Sequence, residues 1–220
     1  MKRLTILITM LMATSSWAYN ETDLMKLKSI NSCEGCDLSG VDFRPDQMYR
    51  SFKSVNLKGA NLTNTNFSKT DLREANLREA NLTGANLSGA NLALAKLNGA
   101  NLTKSNFTEA DLSVAKLRGA NLTGANFFLA KLFYVDLSGA NLSGANLFVT
   151  DLRDANLTGA KLSGARLDGT ILTGANLTGA NFFNVDLSSA RLQRINLDGA
   201  IYCNTTMPWG VMNDGCKADE

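Results

Sequence analysis

From residue 56 to residue 200 a large apolar side chain returns at every fifth position. The series opens at Leu57 and Leu62 and closes at Leu192 and Leu197. Of its 29 members 25 are Leu, and Phe67, Phe107, Phe127 and Phe182 complete it. Two residues before each centre stands Ala in 20 cases; the others are Val55, Thr65, Thr70, Ser105, Val135, Thr150, Thr170, Val185 and Ile195, so nothing long or charged enters that column. A period of five fits neither the 3.6-residue repeat of a helix nor the two-residue repeat of a strand, so each phrase must close by turning. Within Ala-Asn-Leu, the Ala and Leu share one face of a short extended piece and the Asn takes the other. The next two residues turn a corner, and the second of them is Gly in 14 of the 29 phrases, which suits an unusual backbone angle. One phrase cannot bury its own Leu, whereas stacked coils can.

Phrases such as Ala80-Asn81-Leu82-Thr83-Gly84 and Ala140-Asn141-Leu142-Ser143-Gly144 carry a signature that resembles the pentapeptide repeat family, over roughly four fifths of the chain. The resemblance implies an all-β fold, a right-handed quadrilateral β-helix with four phrases per coil and about eight coils for this length. Stacking at about 4.8 Å per coil gives a rod roughly 40 Å long. Residues 37–207 then form the solenoid, 19–36 an N-terminal cap and 208–220 a C-terminal cap or tail. Residues 20–31 open with Asn20, Glu21, Thr22 and Asp23 and place Leu24, Leu27 and Ile30 on one side, which predicts a short helix over the first coil. The register slips after it: Leu38, Phe43 and Met48 are five apart, but Leu57 falls one residue short of the next step but one. Residues 44–53 are therefore expected to form a distorted coil or a loop. Met207 supplies one further centre before Pro208 stops the pairing.

The N-terminus adds a compartment. Lys2 and Arg3 precede an apolar run over residues 4–13, and Ser16-Trp17-Ala18 follows, which reads as a secretory signal over residues 1–18, cleaved after Ala18. The run is too short to span a bilayer, so no membrane insertion is expected. Loss of Lys2 and Arg3 from the 22 basic residues leaves 20 against 20 acidic ones, a neutral chain with no net field to gather nucleic acid. Export implies a periplasm or the exterior, or a thylakoid lumen in a photosynthetic source.

Four cysteines in an exported chain suggest disulfides. Cys33 and Cys36 precede the coils and Cys203 and Cys216 follow them. A rod of this length separates the two pairs far beyond disulfide reach, so both links should be local, Cys33 with Cys36 and Cys203 with Cys216. The spacing Cys33-Glu34-Gly35-Cys36 also suits a redox motif, but the usual βαβ setting is absent. A four-cysteine zinc site would need two molecules end to end.

Enzymatic chemistry has little to work with. The chain has no His, its Ser and Thr stand at repeated corners without a base, and its glycines do not lead from a strand into a helix as a phosphate loop requires. A non-enzyme is expected, with no cofactor and no metal. Function then falls to the outward columns, in which residues twenty apart stack. Asp111, Lys131 and Asp151 read as an alternating ladder, Arg166 and Asp186 as another, and Lys96 with Lys116 as stacked like charges. Phe128 and Phe148, Leu129 and Val149, Leu94, Val114 and Tyr134, with Phe133 beside them, gather apolar surface on adjoining faces in mid-rod, a candidate site for a protein partner. A second surface is the column Asn61, Asn81, Asn101, Asn121 and Asn141 with Thr63, Thr83, Thr103, Thr123, Ser143 and Ser163. It could face an ordered lattice such as ice or a glycan, or reflect Asn ladders and the strand preference of Thr. Some members of the family resemble duplex DNA and bind topoisomerase through an acidic surface; here the acids are interleaved with Lys and Arg, and the signal directs the chain away from DNA.

Overall fold

The structure is a computed structural model that describes residues 19–44 and 51–216. The one helix among the described residues, α1 (Glu21–Ile30), begins where Asn20 accepts the backbone N–H groups of Thr22 and Asp23 on its side chain, and it buries Leu24 and Leu27. Asn31 ends it in a left-handed conformation at φ 50°. The N–H of Asn20 donates to the carbonyl of Asp37, and Asp23 Oδ2 accepts the N–H of Asp37 at 2.8 Å, which ties α1 to the first coil.

The body is a stack of parallel bridges between residues twenty apart, such as Asn61 with Asn81, Asn81 with Asn101 and Asn101 with Asn121. Four five-residue phrases make each coil. Centres donate their N–H to the coil above, as Leu82 does to Asn101 at 2.7 Å, and outward residues donate to the coil below, as Asn81 does to Ala60 at 2.9 Å. Every side thus pairs above and below without any strand long enough to form a conventional sheet. The Leu and Ala columns fill the interior; Leu57 to Leu187 are at most 1% exposed at every centre. Aromatic centres stack at the coil spacing, Phe107 on Phe127 at 4.8 Å with ring planes 1° apart. The hydroxyl residues of the Ala column are satisfied inside the coil, Thr150 Oγ1 donating to the carbonyl of Phe127 at 2.8 Å and Thr170 to that of Leu147 at 2.7 Å. Each of them can therefore replace Ala without leaving a buried polar atom bare.

The sequence expectations need adjusting in two places. The first three bridges, Ser32 with Asn56, Asp37 with Asn61 and Asp42 with Asn66, span 24 residues instead of twenty. The extra residues lie between Phe43 and Phe52, and Phe52, 2% exposed and donating its N–H to Asp71, fills the fourth centre of that coil. The centre expected at Met48 falls outside the described residues. The coils also begin earlier than residue 37, since Cys33 occupies a Leu position and Cys36 an Ala position of the first coil, both buried. They are joined to each other, and Cys203 is joined to Cys216. At the far end Met207 is a buried centre and the coil pairing stops before Pro208, but the chain then turns back: β1 (Thr205–Met207), in which Thr206 bridges Asp186 below, pairs with β2 (Gly210–Met212) in an antiparallel hairpin. No helix among the described residues is long and apolar enough to cross a membrane.

Candidate functional site

The corner geometry decides which residues can face a partner. The second corner residue of every phrase from Ser54 to Gly199 except that at Ser189 sits in the left-handed region whatever its type, as in Gly84 at φ 67° and Leu94 at φ 63°. For Gly this conformation costs nothing, and for an L residue it costs about 1–2 kcal/mol, more when the side chain is branched at Cβ. Most non-glycine corners hold Asn, Lys, Glu, Asp, Arg or Ser. Five hold large apolar side chains, all at these strained angles: Leu94, Val114, Leu129, Tyr134 and Val149, with exposures of 39% to 61%. They fall in just two corner columns. Nothing in the coil requires an apolar group there.

The eight residues expected as one patch form two stripes. Leu94, Val114 and Tyr134 rise along one corner, with Phe133 set edge-on to Tyr134 at 6.1 Å between centroids. Leu129 and Val149 rise along the preceding corner, beside Phe128 and Phe148, whose rings stack at 5.5 Å. Between the corners run Asp111, Lys131 and Asp151, because the strand separating them points its middle residue outward. The guanidinium of Arg166 lies 4.3 Å over the ring of Phe148, so the two Phe rings belong to a half-buried stack that shields its own corner. The more exposed anchors are the five corner residues.

Arginines pair within a phrase, whereas Lys53 and Lys58 reach acids one coil away, Glu74 at 3.3 Å and Glu34 at 3.2 Å. Arg73 grips Asp71 through Nε at 2.8 Å and Nη2 at 2.7 Å, Arg153 grips Asp151 likewise, and Arg166 bonds Asp168 instead of Asp186. The two-residue spacing puts both side chains on one side of one corner, a closer approach than the step between coils. The Arg73 hydrogen bonds hold the Asp71 carboxyl down at about 2 against the opposing effect of burial, and Arg153 lowers Asp151 in the same way. Asp111 spends its carboxylate on the N–H and hydroxyl of Ser113.

The Asn/Thr face is likewise turned on itself. Thr63, Thr83, Thr103 and Thr123 each donate their hydroxyl to the Asn two residues earlier at 2.7 Å, and Ser143 does the same to Asn141. Among the described residues two members of this face reach another coil, Asn61 bonding Asp37 at 2.9 Å and Ser163 donating to Asn181 Oδ1 at 3.4 Å. The Asn ladder expected there appears where the residue two places on lacks a hydroxyl, as from Asn146 to Asn126 and from Asn76 to Asn56, both at 2.8 Å. Local and vertical hydrogen bonds share the same Oδ1, and where a hydroxyl takes it at 2.7 Å the vertical bond lengthens, to 3.5 Å from Asn126 to Asn106 and 3.3 Å from Asn156 to Asp136.

Two features escaped the sequence reading. Phe183 and Ile201 expose apolar surface near the Cys203–Cys216 link, around a groove of about 420 Å³. Arg78 and Arg118 join Lys96 and Lys116 on one face, beside the Leu94 stripe. Both follow from twenty-residue arithmetic applied to every column. Asp23 lies against Cys33 and Cys36, but the two sulfurs are bonded to each other, so the trio offers a metal one carboxylate rather than thiolates.

Comparison with known proteins gives this architecture a family. Residues 50–127 match the description "Pentapeptide repeat region", and residues 110–147 and 150–188 match "Pentapeptide repeats (8 copies)". HetL, a pentapeptide repeat protein involved in heterocyst differentiation regulation from Nostoc sp. strain PCC 7120, is 32% identical; the match covers 87% of this chain and 98% of that one, with a TM-score of 0.34. Rfr23, from Cyanothece 51142, is 26% identical over 82% of this chain and 92% of its own, with a TM-score of 0.37. A pentapeptide repeat protein of the Arabidopsis thaliana thylakoid lumen is 32% identical over 54% of this chain and 65% of its own, with a TM-score of 0.26. No curated protein matches. The chain belongs to the pentapeptide repeat family, whose members form right-handed quadrilateral β-helices.

Proposed function

We propose that this protein is an exported, non-enzymatic β-solenoid that works as a rigid interaction module, presenting its two apolar stripes to a protein partner. The observation that carries the reading is the placement of Leu94, Val114, Leu129, Tyr134 and Val149 at exposed corners with φ between 54° and 63°. Strain that equals or exceeds the local packing gain at clustered positions points to a requirement outside the fold. The apolar run over residues 4–13 supports export, and the two local disulfides suit an oxidising compartment. The inward-turned hydroxyls of the Asn/Thr face favour a protein partner over an ordered lattice.

The test compares the wild-type protein with a variant in which Leu94, Val114, Leu129 and Val149 are all replaced by Asn. Each is fused to a labelling peroxidase, expressed in the native compartment, and the labelled proteins are quantified by mass spectrometry. At least one protein labelled by the wild type should be lost with the variant while the coil melts no lower than wild type. Identical labelling by a folded variant would refute the reading.

A further inference from the structure

The stripe formed by Leu94, Val114 and Tyr134 does not stand alone. The face that follows it around the corner carries Arg78, Lys96, Lys116 and Arg118, all but Arg78 exposed. The ion pairs among the described residues engage Lys53, Lys58, Arg44, Arg73, Arg153 and Arg166, and none reaches these four cations. Lys96 and Lys116 bridge directly, two like charges one coil apart, an arrangement that disfavours the folded state. Nearby acids are otherwise occupied: Glu74 bonds Lys53 and Ser54, and Asp136 bonds Ser138 and Asn156. Only the exposed Glu79 stands free of these pairs on the same face. A groove of about 550 Å³ joins the two chemistries, lined by Leu94 and Val114 on one side and by Lys96 and Lys116 on the other, with Asn76, Glu74 and Ser54 at its end.

We propose, building on the protein-partner reading, that this groove seats an acidic amphipathic helix lying along the stacking axis. Spacing selects the helix. Three apolar rungs at about 4.8 Å span roughly 10 Å, and residues i, i+3 or i+4 and i+7 of a helix span about 10.5 Å. An extended peptide places same-face side chains about 6.7 Å apart and loses register by the second contact. Charge selects the acidic flank, since carboxylates beside the apolar stripe would meet Lys96 and Lys116 in order. Charge also fixes the orientation. On the opposite side of the stripe stand Asp111, Lys131 and Asp151, the last paired with Arg153, so that flank offers no cation row like Lys96 and Lys116 and the acids of the docking helix belong on the lysine side. These same carboxylates disfavour an anionic bilayer, which would press its charge against both flanks at once.

The probe is a fluorescein-labelled peptide of about 18 residues, five turns of helix, with Leu on one stripe, Glu on one flank and Ala and Gln elsewhere. Anisotropy titration against the full chain should show saturable binding that weakens with added salt as screening grows. Lys96→Glu with Lys116→Glu should weaken it at least about tenfold, and a matching peptide with Lys in place of Glu should regain affinity for that variant. The exposed lysines hold no core contact, and Lys116→Gln, melting as wild type, provides a milder second variant. The proposal is overturned if the wild type binds the Glu and Lys peptides equally, if the lysine variants bind the Glu peptide as well as wild type, or if no peptide binds while the chain sediments with phosphatidylglycerol vesicles. A partner captured through the apolar corners that ignores the lysine changes would leave the interaction module standing and remove only the helix seat.

Discussion

Val114 and Val149 allow the strain argument to be measured. Both are branched at Cβ and both hold left-handed angles, φ 60° and φ 54°. Replacing each by Asn, which tolerates that region, should recover roughly 1–2 kcal/mol of backbone strain per site. Against this stands lost apolar burial. Val149 is 39% exposed, so about three fifths of its side chain is covered, in part against the next coil, where a Cβ built on Gly169 would lie 3.4 Å from Val149 Cγ2. Full burial of Val is worth about 1.5 kcal/mol at the lower end, so the loss is about 0.9 kcal/mol. The two effects leave each substitution between neutral and about 1 kcal/mol stabilising. For a chain of this size the double variant should melt between 0 and roughly 8 °C above wild type. Thermal unfolding followed by circular dichroism, with matched urea titrations, reads the difference. A double variant that loses more than about 1 kcal/mol would show that the valines pack the coil, and the case for an external role would fall with it.

The interior can be tested against the exterior with Ala120→Leu and Asn121→Ser. The first forces a large side chain into the buried narrow column and should cost about 1–3 kcal/mol, whereas the second keeps an outward oxygen near the Thr123 N–H and should cost under about 1 kcal/mol; equal melting shifts would contradict the inward and outward assignment. The Asp71 carboxyl is held at about 2 by Arg73, below its ordinary 3.8, so its contribution to stability is complete above about pH 4 and is lost as pH falls toward 2. Carboxyl NMR titration should find that low midpoint, and Arg73→Gln should move it back toward the ordinary range; a midpoint near 3.8 in the wild type would refute the pairing.

Much of the fold was legible because one physical demand repeats. Each Leu centre must be buried, and only a turn every five residues lets Leu57 and its successors meet. The capping helix was readable for an equally local reason, since Asn20 offers its side chain to N–H groups two and three residues on. Phe52 stands five residues before Leu57 and was legible by counting backward; it was missed by counting forward from Leu38 and Phe43, across the insertion. The hydrogen bonds of the outward columns were hidden because Asn satisfies its Oδ1 equally well locally or vertically, and the choice turns on the residue two positions later. The apolar patch was visible as residues but not as two stripes, because corner positions and strand positions project differently, and only the coil shows Lys131 standing between them.

The 24-residue coil has a consequence for how such a chain can change. In a helix or a long strand, one inserted residue rotates or inverts every side chain beyond it. Here Phe43 and Phe52 both keep their places in the stack across four additional residues, and Asp42 and Asp71 pair with the coil above in ordinary fashion. Register is therefore counted by sides, not by residues, and the length of a corner is free. A gene for such a protein can gain or lose whole loops at corners without retuning any buried column. The same tolerance makes the corner after Phe43 a natural position at which to graft a foreign binding loop onto the solenoid.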